Sequence, residues 1–332
     1  MSNEALILAA DVGGTKTLLQ LLRREPNAPH GAVALAEKRY VSQAFGSLTS
    51  MVQDFLGEAA LGQPHSACFA VAGPVSLQQD RQTARLTNLP WELDSLEMGA
   101  SLGIPHVHLL NDFQAIGYSL DVLAAEELLP LQSRPVEAQA PRLVVGAGTG
   151  LGVCLVVEDG GQARSHATEG GHIAFAPLDI QQDSLNLYLR AQFSRVSAER
   201  LLSGSGLVQI YRFLLQQHQL PEDGLLQQAD PAAAIGEHAL SGAGLPLEAV
   251  RLFLRIYGAT VGDLALASLP RGGVYIAGGI APKLLPLMQN GEFMQAFADK
   301  GRMRPLMEQL AVQVITNPAC GLLGAARYAA RF

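Results

Sequence analysis

Residues 5–22 read ALILAADVGGTKTLLQLL, and this stretch decides the fold. An apolar run ends at Asp11, a turn of small residues follows, and a second apolar run begins at Leu18. Short apolar runs joined by glycines are typical of two buried strands in a hairpin. Residues 143–157, LVVGAGTGLGVCLVV, repeat this order of strand, Gly/Thr turn and strand. We interpret the repeat as an internal duplication that gives two similar α/β lobes facing each other. Chance similarity is the alternative, since apolar strands flanked by glycine are common.

The composition predicts a globular protein of two domains. The chain has 332 residues, 48% hydrophobic and 16% charged, and this length exceeds what one small core usually supports. The net charge of −7, with scattered lysines and arginines, argues against a general surface for nucleic acid or anionic membrane. No apolar run reaches the ~18 residues of a membrane span, and the N-terminus lacks the cationic start of a signal peptide. Three widely spaced cysteines suit a reducing cytoplasm rather than a disulfide framework or a cysteine-based zinc site.

Periodic apolar residues place the main helices of the second half of the chain. Helical spacing predicts helices at 201–215 and 250–267. The stretch between them, 216–244, is rich in Gln, Ala, Pro and Gly, and we expect a surface insertion there.

Asp112 is the leading candidate for a catalytic group. The apolar run 107–110 predicts a buried strand, so Asp112 would follow its carboxyl end, where open α/β sheets usually bind ligands. A carboxylate close to an apolar core can act as a general base toward a hydroxyl. On its own, however, the pair Asn111-Asp112 after a strand is more often a turn or a helix N-cap. The accompanying motifs are what favour catalysis.

Glycine-rich turns provide candidate phosphate-binding loops. In residues 11–15, DVGGT, small residues allow close approach to a polyphosphate, and free amides and the Thr15 hydroxyl can donate to its oxygens. Asp11 would hold Mg²⁺ through water, because Mg²⁺ sheds its hydration shell reluctantly. Residues 148–150, GTG, offer the same groups, and Gly278-Gly279 would leave bare backbone for the adenosine half of a nucleotide. A glycine turn without a ligand is the alternative for each segment.

Two other nucleotide-binding motifs are excluded. The glycines between residues 146 and 152 alternate, so the G-x-G-x-x-G spacing of a dinucleotide site does not fit them. The chain also lacks G-x-x-x-x-G-K-[ST], which excludes a P-loop.

Further polar residues suit recognition of a sugar. In residues 169–172, EGGH, two glycines disfavour a helix, so this is not a helical pair of metal ligands. A carboxylate and an imidazole at short range can bond adjacent sugar hydroxyls, although a tight turn with a surface histidine is the simpler reading. Glu199 follows Ser197, which predicts a helix N-cap with an acid in the first turn. Asn88 and Trp91 could line a sugar pocket, but a lone Trp is more often in the core.

Together these parts match what phosphoryl transfer requires. Two glycine-rich turns can hold nucleotide phosphates, one Asp can carry Mg²⁺, and another Asp can accept the proton of an attacking hydroxyl. Domain closure would exclude water, which otherwise competes with the sugar as acceptor.

The order and spacing of the motifs resemble those of bacterial glucokinases of the proteobacterial type, within the actin-like, hexokinase-like superfamily. The segments that carry the resemblance, from about residue 6 to 324, are DVGGT at 11–15, NDF at 111–113, GAGTGLG at 146–152, EGGH at 169–172 with FAP at 175–177, VSAER at 196–200 with LSG at 202–204, and IAGGI at 276–280. The resemblance implies an α/β fold of two actin-like, ribonuclease H-like lobes, each a mixed sheet with helices, flanking an interdomain cleft. We expect a small N-terminal domain at 1–118 plus 317–332, closed by the C-terminal helix, and a large domain at 119–316.

The resemblance also implies roles for individual residues. Asp112 corresponds to the catalytic base that activates the glucose 6-hydroxyl. The positions that bind sugar hydroxyls are Asn111, Asp112, Glu169, His172 and Glu199. The positions of the ATP site are Asp11, Val12, Gly13, Gly14, Thr15, Gly148, Thr149, Gly150, Gly278 and Gly279, with Asp11 holding Mg²⁺ through water.

The expected activity is therefore ATP-dependent phosphorylation of D-glucose at its 6-hydroxyl, the first step of glycolysis, by a cytoplasmic homodimer. A kinase for mannose, fructose or an N-acetyl-hexosamine is the alternative, and a polyphosphate donor is a further one. A sugar-sensing repressor on this scaffold would carry an N-terminal helix-turn-helix, whereas here the first strand begins within a few residues of Met1. No cysteine-rich motif follows residues 169–172, so we expect no structural zinc. From the net charge of −7 and the lack of a long apolar run we expect no nucleic-acid partner and no membrane partner.

Overall fold

The computed structural model describes residues 6–86, 89–242 and 244–332, which form two compact units. Within the described residues, the first unit runs to Glu127 and adds Asp159–Ala167 and Asn317–Phe332. The second unit comprises Leu128–Glu158 and Thr168–Thr316. The chain thus passes from the first unit to the second after Glu127, whereas the sequence predicted this boundary at residue 118. The segment 159–167 joins the first unit, where Gln114 Nε2 donates to the carbonyl of Ser165 at 2.9 Å.

Groups of strands and groups of helices follow one another along the chain. The strands are β1 (Leu6–Val12), β2 (Lys16–Arg24), β3 (Ala32–Val41), β4 (Ser66–Val71), β5 (Val75–Gln78), β6 (Arg81–Arg85), β7 (Glu92–Asp94), β8 (His106–Asn111), β9 (Leu128–Gln132), β10 (Arg142–Ala147), β11 (Leu151–Asp159), β12 (Gln162–Thr168), β13 (Val274–Ala277) and β14 (Val312–Ile315). The helices are α1 (Leu48–Ala59), α2 (Ser95–Leu102), α3 (Asp112–Ser119), α4 (Ile180–Phe193), α5 (Gly204–Gln217), α6 (Pro231–Leu240), α7 (Gly244–Ser268), α8 (Ile280–Met288), α9 (Glu292–Ala298), α10 (Arg304–Met307) and α11 (Cys320–Ala329).

The first unit is built on a five-stranded mixed sheet with the order β3-β2-β1-β4-β8. The strands β3, β2 and β1 are antiparallel, whereas β1, β4 and β8 are parallel. Val12, Val71 and Asn111 lie in one row across the three parallel strands. Their carboxyl ends therefore share one edge of the sheet. A separate three-stranded antiparallel sheet, β5-β6-β7, completes the unit.

The second large sheet repeats this topology. Its order is β12-β11-β10-β13-β14-β9, with β10 antiparallel to β11, and β10, β13 and β14 parallel. The hairpin β10–β11 thus takes the position that the hairpin β1–β2 has in the first sheet. The predicted α/β class of two lobes, each a mixed sheet with helices, is confirmed, and the strand pairs predicted at residues 5–22 and 143–157 are both present as hairpins.

Apolar side chains pack on both faces of the first sheet. One face packs against α1 and α2 through buried residues such as Met51, Phe69 and Met98. The other packs against α3 and α11 through Ile7, Leu110 and their neighbours. In the second unit a single large cluster surrounds α5 and α7.

The helix predictions are confirmed at α5 and α7. The prediction of a surface insertion at 216–244 holds for residues 218–230, which are mostly exposed, but it is wrong for the residues that follow. Helix α6 lies within that stretch, and it buries Ile235 and Ala239 completely against the core of the second unit. Its apolar face is made mostly of alanine and glycine, which gives a weak hydrophobic pattern in the sequence. In the part of the chain that the structure describes, none of the helices has the length and apolar character needed to cross a membrane.

Helix α11 supports the helix that carries Asp112. Gly324 of α11 lies directly against the carbonyl of Ala115 in α3, and a Cβ at position 324 would overlap that oxygen. Gly321, three residues earlier on α11, has ordinary space, because its Cβ would meet only Ile116 at 3.9 Å. The two glycines on one helix therefore form a matched pair.

We predict that Gly324→Ala lowers the free energy of unfolding by about 1–3 kcal/mol, because the two helices must separate to admit the methyl group. Gly321→Ala should leave stability unchanged or raise it by up to about 1 kcal/mol through helix propensity. Urea unfolding followed by circular dichroism measures both. Equal stability of the two variants would contradict the close packing of α11 on α3.

Candidate active site

Asn111 ends strand β8 and caps helix α3. Its Oδ1 accepts from the backbone N–H groups of Phe113 at 3.0 Å and Gln114 at 3.2 Å, and its Nδ2 donates to the carbonyl of Gly73 at 3.1 Å. The alternative reading of an N-cap is therefore confirmed for Asn111. The cap leaves one Nδ2 hydrogen without a partner in the described chain, and it places Asp112 at the first position of the helix.

Asp112 lies half-buried at the same edge. Its Oδ1 accepts from the backbone N–H of Phe113 at 2.9 Å. Burial, and to a smaller extent the nearby carboxylate of Asp11, raise the pKa of the Asp112 carboxyl to about 6, although the hydrogen bond from the Phe113 N–H opposes the rise. The group is thus mostly ionised at neutral pH but more basic than an ordinary aspartate.

Asp11 belongs to the same edge because β1 and β8 flank β4 in parallel. Its side chain is reached by solvent, yet the protein atoms on its other sides desolvate it enough to raise its pKa. The structure thus brings Asp11 and Asp112 into electrostatic contact within the first unit. Of the predicted site residues, these two carboxylates and Asn111 share one sheet edge.

The turn after Asp11 is held from behind. The N–H of Gly13 donates to the carbonyl of Lys16 at 3.0 Å, and the Ser42 hydroxyl donates to the carbonyl of Gly13 at 2.8 Å. Both the N–H and the carbonyl of Gly13 are therefore already hydrogen-bonded within the protein. Among the described residues, the amides of Gly14 and Thr15 have no acceptor and remain available to a ligand. Sequence reasoning missed Ser42, because nothing in its local sequence links it to this turn.

The residues around Asp11 fit a water-bound Mg²⁺ better than a direct protein site. Within residues 6–86, 89–242 and 244–332, no group of three or more His, Cys, Asp or Glu side chains is arranged to hold a metal ion. Mg²⁺ in phosphoryl-transfer sites commonly keeps several waters and uses one or two carboxylates plus substrate phosphates. A single accessible carboxylate beside two free amides meets that requirement.

In the second unit, the two glycine segments meet at the end of β10. Gly278 has a φ of +83°, and a Cβ on it would overlap the carbonyl of Ala147, the last residue of β10. Gly148 donates its N–H to the carbonyl of Gly150 at 2.8 Å. Since β10 and β13 are parallel neighbours, residues 148–150 and Gly278-Gly279 lie at one sheet edge. Only glycine combines this backbone conformation with this approach.

Glu199 packs onto the same turn. Its Oε2 accepts from the backbone N–H of Leu151 at 3.0 Å, and it covers Gly150 so closely that a Cβ there would lie 2.5 Å from Oε2. The predicted N-cap at Ser197 is wrong, because the Ser197 side chain caps nothing and only a single 3₁₀ turn follows. Ser203 is the cap instead, accepting from Gly206 N–H at the start of α5.

The segment 169–172 forms a 3₁₀ turn with exposed polar side chains. Nε2 of His172 lies 3.7 Å from Oε2 of Glu169, and both side chains are more than half exposed. Buried Gly171 abuts the carbonyl of Leu151, which leaves no room for a side chain. The backbone of Leu151 therefore positions both this turn and Glu199. Sequence reasoning did not identify Leu151, because its contribution is made by main-chain atoms.

Two residues, Asn88 and Trp91, remain from the candidates for a sugar pocket. Trp91 is a core residue, 3% exposed, and its Nε1 donates to the carbonyl of Phe45 at 3.3 Å. Asn88 lies outside the described residues.

Two mixed sheets share one topology, glycine turns follow their strands, and an aspartate of raised pKa follows strand β8. These features define a kinase of the actin-like fold. The chain belongs to the Glucokinase family, whose family profile matches residues 8–332. A glucokinase of a Synechocystis species is 46% identical over 98% of each chain. The glucokinase of Nostoc punctiforme is 43% identical over 98% of this chain and 99% of that one. The crystal structure of a glucokinase from an Antarctic psychrotroph superposes with a TM-score of 0.85 at 28% identity, covering 98% of this chain and 99% of that one.

We predict that Asp112→Asn stabilises the protein at neutral pH. A carboxyl whose pKa is raised from 3.8 to about 6 by folding binds more protons in the folded state, so it lowers stability progressively as pH rises from 4 to 6. Removing it should add about 1–3 kcal/mol to the free energy of unfolding at pH 7.

The gain should vanish below pH 4, where the carboxyl is protonated in both states. Denaturant unfolding at pH 4 and pH 7 measures the difference, with Asp80→Asn at an exposed position as the control. A variant that is less stable than the parent at pH 7 would show that Asp112 is not desolvated.

Proposed function

We propose that the protein transfers the γ-phosphoryl group of ATP to the 6-hydroxyl of D-glucose. The observation that carries the proposal is Asp112, a desolvated carboxylate with a pKa of about 6 at a strand end. A base works best when its pKa lies near the working pH, because it is then both ionised and able to hold a proton. Membership of the Glucokinase family and the likeness to relatives named glucokinase support the choice of glucose.

Asp112 acts as the general base. Its carboxylate accepts the proton of the 6-hydroxyl as the oxygen forms a bond to the γ-phosphorus, and the bond from that phosphorus to the β–γ bridging oxygen breaks. ADP leaves with that oxygen. The helix start at Asn111 holds Asp112 at a defined position, so that its contribution is made by placement as much as by basicity.

The nucleotide is held mainly by backbone groups. We assign this role to the free amides of Gly14 and Thr15, to the turn 148–150 and to Gly278-Gly279, together with Val12 and Gly13, which shape the first turn. Asp11 would hold Mg²⁺ through water, and the ion would neutralise part of the phosphate charge. Bare glycine backbone allows phosphates closer than any side chain would.

Sugar hydroxyls are bound by Asn111, Glu169, His172 and Glu199. Asn111 retains one Nδ2 hydrogen for this purpose after capping α3. Glu199 is fixed through one oxygen by Leu151, which leaves Oε1 for a hydroxyl. The exposed side chains of Glu169 and His172 are free to reorient toward a ligand because their turn is anchored only through its backbone.

The proposal also covers the metabolic step, the cellular compartment and the oligomeric state. Phosphorylation at the 6-hydroxyl is the first step of glycolysis, and we place it in the cytoplasm. We further propose that the protein is a homodimer.

The pH dependence of turnover tests the base. With the carboxylate form required, kcat/KM should be level above pH 7 and fall about tenfold per unit below an apparent pKa of about 6. Asp112→Asn should lower kcat by about 10³-fold, leave the KM for ATP within about threefold, and lose the acid limb. Unchanged turnover in this variant would remove Asp112 from the mechanism.

A coupled assay of ADP release with a panel of hexoses tests the substrate. We expect kcat/KM for glucose to exceed that for mannose, fructose and N-acetylglucosamine by at least about tenfold, because each differs in a hydroxyl that the site binds. Preference for another hexose would keep the kinase assignment but contradict glucose as the substrate. Turnover with polyphosphate in the absence of ATP would contradict ATP as the donor.

A further inference from the structure

Helix α4 presents large apolar side chains to solvent. Ile180 is 84% exposed and Leu187 is 67% exposed, whereas Leu185 and Leu189 on the other side of the helix are completely buried in the second unit. Leu178, just before the helix, is 51% exposed. A helix that is anchored by one apolar face and exposes a second one marks an interaction surface.

The exposed face of α4 has the spacing of a helix-pairing seam. Ile180, Ser184, Leu187 and Ala191 follow one another at intervals of four, three and four residues. This is the alternation of d and a positions in a heptad, which places all four on one stripe. Large and small side chains alternate along that stripe.

Two opposite charges flank the stripe. Asp183 and Arg190 are both exposed, and in the described part of the chain neither side chain has an ion-pair or hydrogen-bond partner. Seven residues of helix separate them by about 10 Å, so they cannot pair with each other. Both occupy the position that precedes an a position, the g position of the heptad.

A second copy of the helix, running antiparallel, complements every one of these features. Ile180 faces Ala191 of the partner subunit, and Leu187 faces Ser184 of the partner subunit, so each large side chain meets a small one. In antiparallel helix pairs g positions face g positions, which sets Asp183 against Arg190 of the partner subunit. Twofold symmetry repeats each contact. The Ser184 hydroxyl donates to the carbonyl of Ile180 at 2.9 Å and is therefore satisfied when covered.

We propose that α4 is a self-association surface, and that two copies of the chain pair through antiparallel α4 helices. This rests on the homodimer included in the proposed function and names the surface that forms it. The occupant is a second copy of this chain because the surface complements itself in both shape and charge.

The pairing also reaches the sugar-binding turn. Arg195, two residues after the end of α4, donates from Nη1 to the carbonyl of His172 at 2.9 Å. The helix that holds the partner therefore ends beside a residue assigned to glucose.

Charge reversal with rescue tests the pairing by sedimentation equilibrium of the full chain. Asp183→Arg and Arg190→Asp each create two like-charge contacts, and each should raise the dimer dissociation constant at least about tenfold. The double variant D183R/R190D restores opposite charges and should return within about threefold of the parent. Arg302→Asp, an exposed charge change elsewhere, should have no effect.

A second measurement uses a disulfide. In D183C/R190C the two thiols are too distant to join within one chain, so mild oxidation should yield a covalent dimer on a non-reducing gel, whereas D183C alone should not. The native cysteines are buried and do not compete.

A parent that is monomeric at about 50 µM, well above a micromolar dissociation constant, a dimer unaffected by D183R, or a double variant as weak as the single ones would each overturn the proposal. Circular dichroism melting confirms that every variant is folded. Sedimentation requires no turnover, so failure of the kinase assignment would leave this result unchanged, and failure of the pairing would leave the kinase assignment unchanged.

Discussion

Parallel pairing of strands is the constraint on which the rest of the structure depends. Because β1, β4 and β8 run in the same direction, their carboxyl ends meet at one edge, and residues distant in sequence become neighbours there. Asp11 and Asp112 are about a hundred residues apart in the chain, yet the carboxylate of Asp11 contributes to the raised pKa of Asp112. The pairing of β10 with β13 does the same for residues 148–150 and Gly278.

The site achieves its chemistry at the expense of stability. Desolvation makes Asp112 basic, and the same desolvation opposes folding at neutral pH. Helix α11 packs closely against α3, and the contact through Gly324 supports the helix that begins with Asp112. The defined position of Asp112 therefore depends on the close packing of α11 behind helix α3.

Main-chain groups organise most of the remaining geometry. The backbone of Leu151 supports both Glu199 and the turn of residues 169–172, and Ser42 supports the turn after Asp11. The contacts of Leu151 are made by main-chain atoms and so depend little on its side chain, whereas the contact of Ser42 needs the serine hydroxyl. This explains how a glycine-rich turn retains a defined shape without side chains of its own.

The sequence by itself determined the two lobes and the main candidates. The repeated strand, glycine turn and strand at 5–22 and 143–157 is a local pattern, and the strands it predicts are present. The position of Asp112 after a strand followed from the apolar run at 107–110. The hydroxyl-binding and nucleotide-binding roles came from the resemblance of motifs and stand as proposals.

Only the tertiary structure decided which groups are neighbours and how their environments alter them. Local composition did not reveal the buried helix α6, because alanine and glycine give little periodic signal, and it misplaced a cap at Ser197 that belongs to Ser203. The pKa of Asp112 depends on burial by distant segments, which no local pattern encodes. The exposed stripe on α4 needed the fold for the same reason, since its apolar residues look like core until the packing of Leu185 and Leu189 shows which face is already occupied.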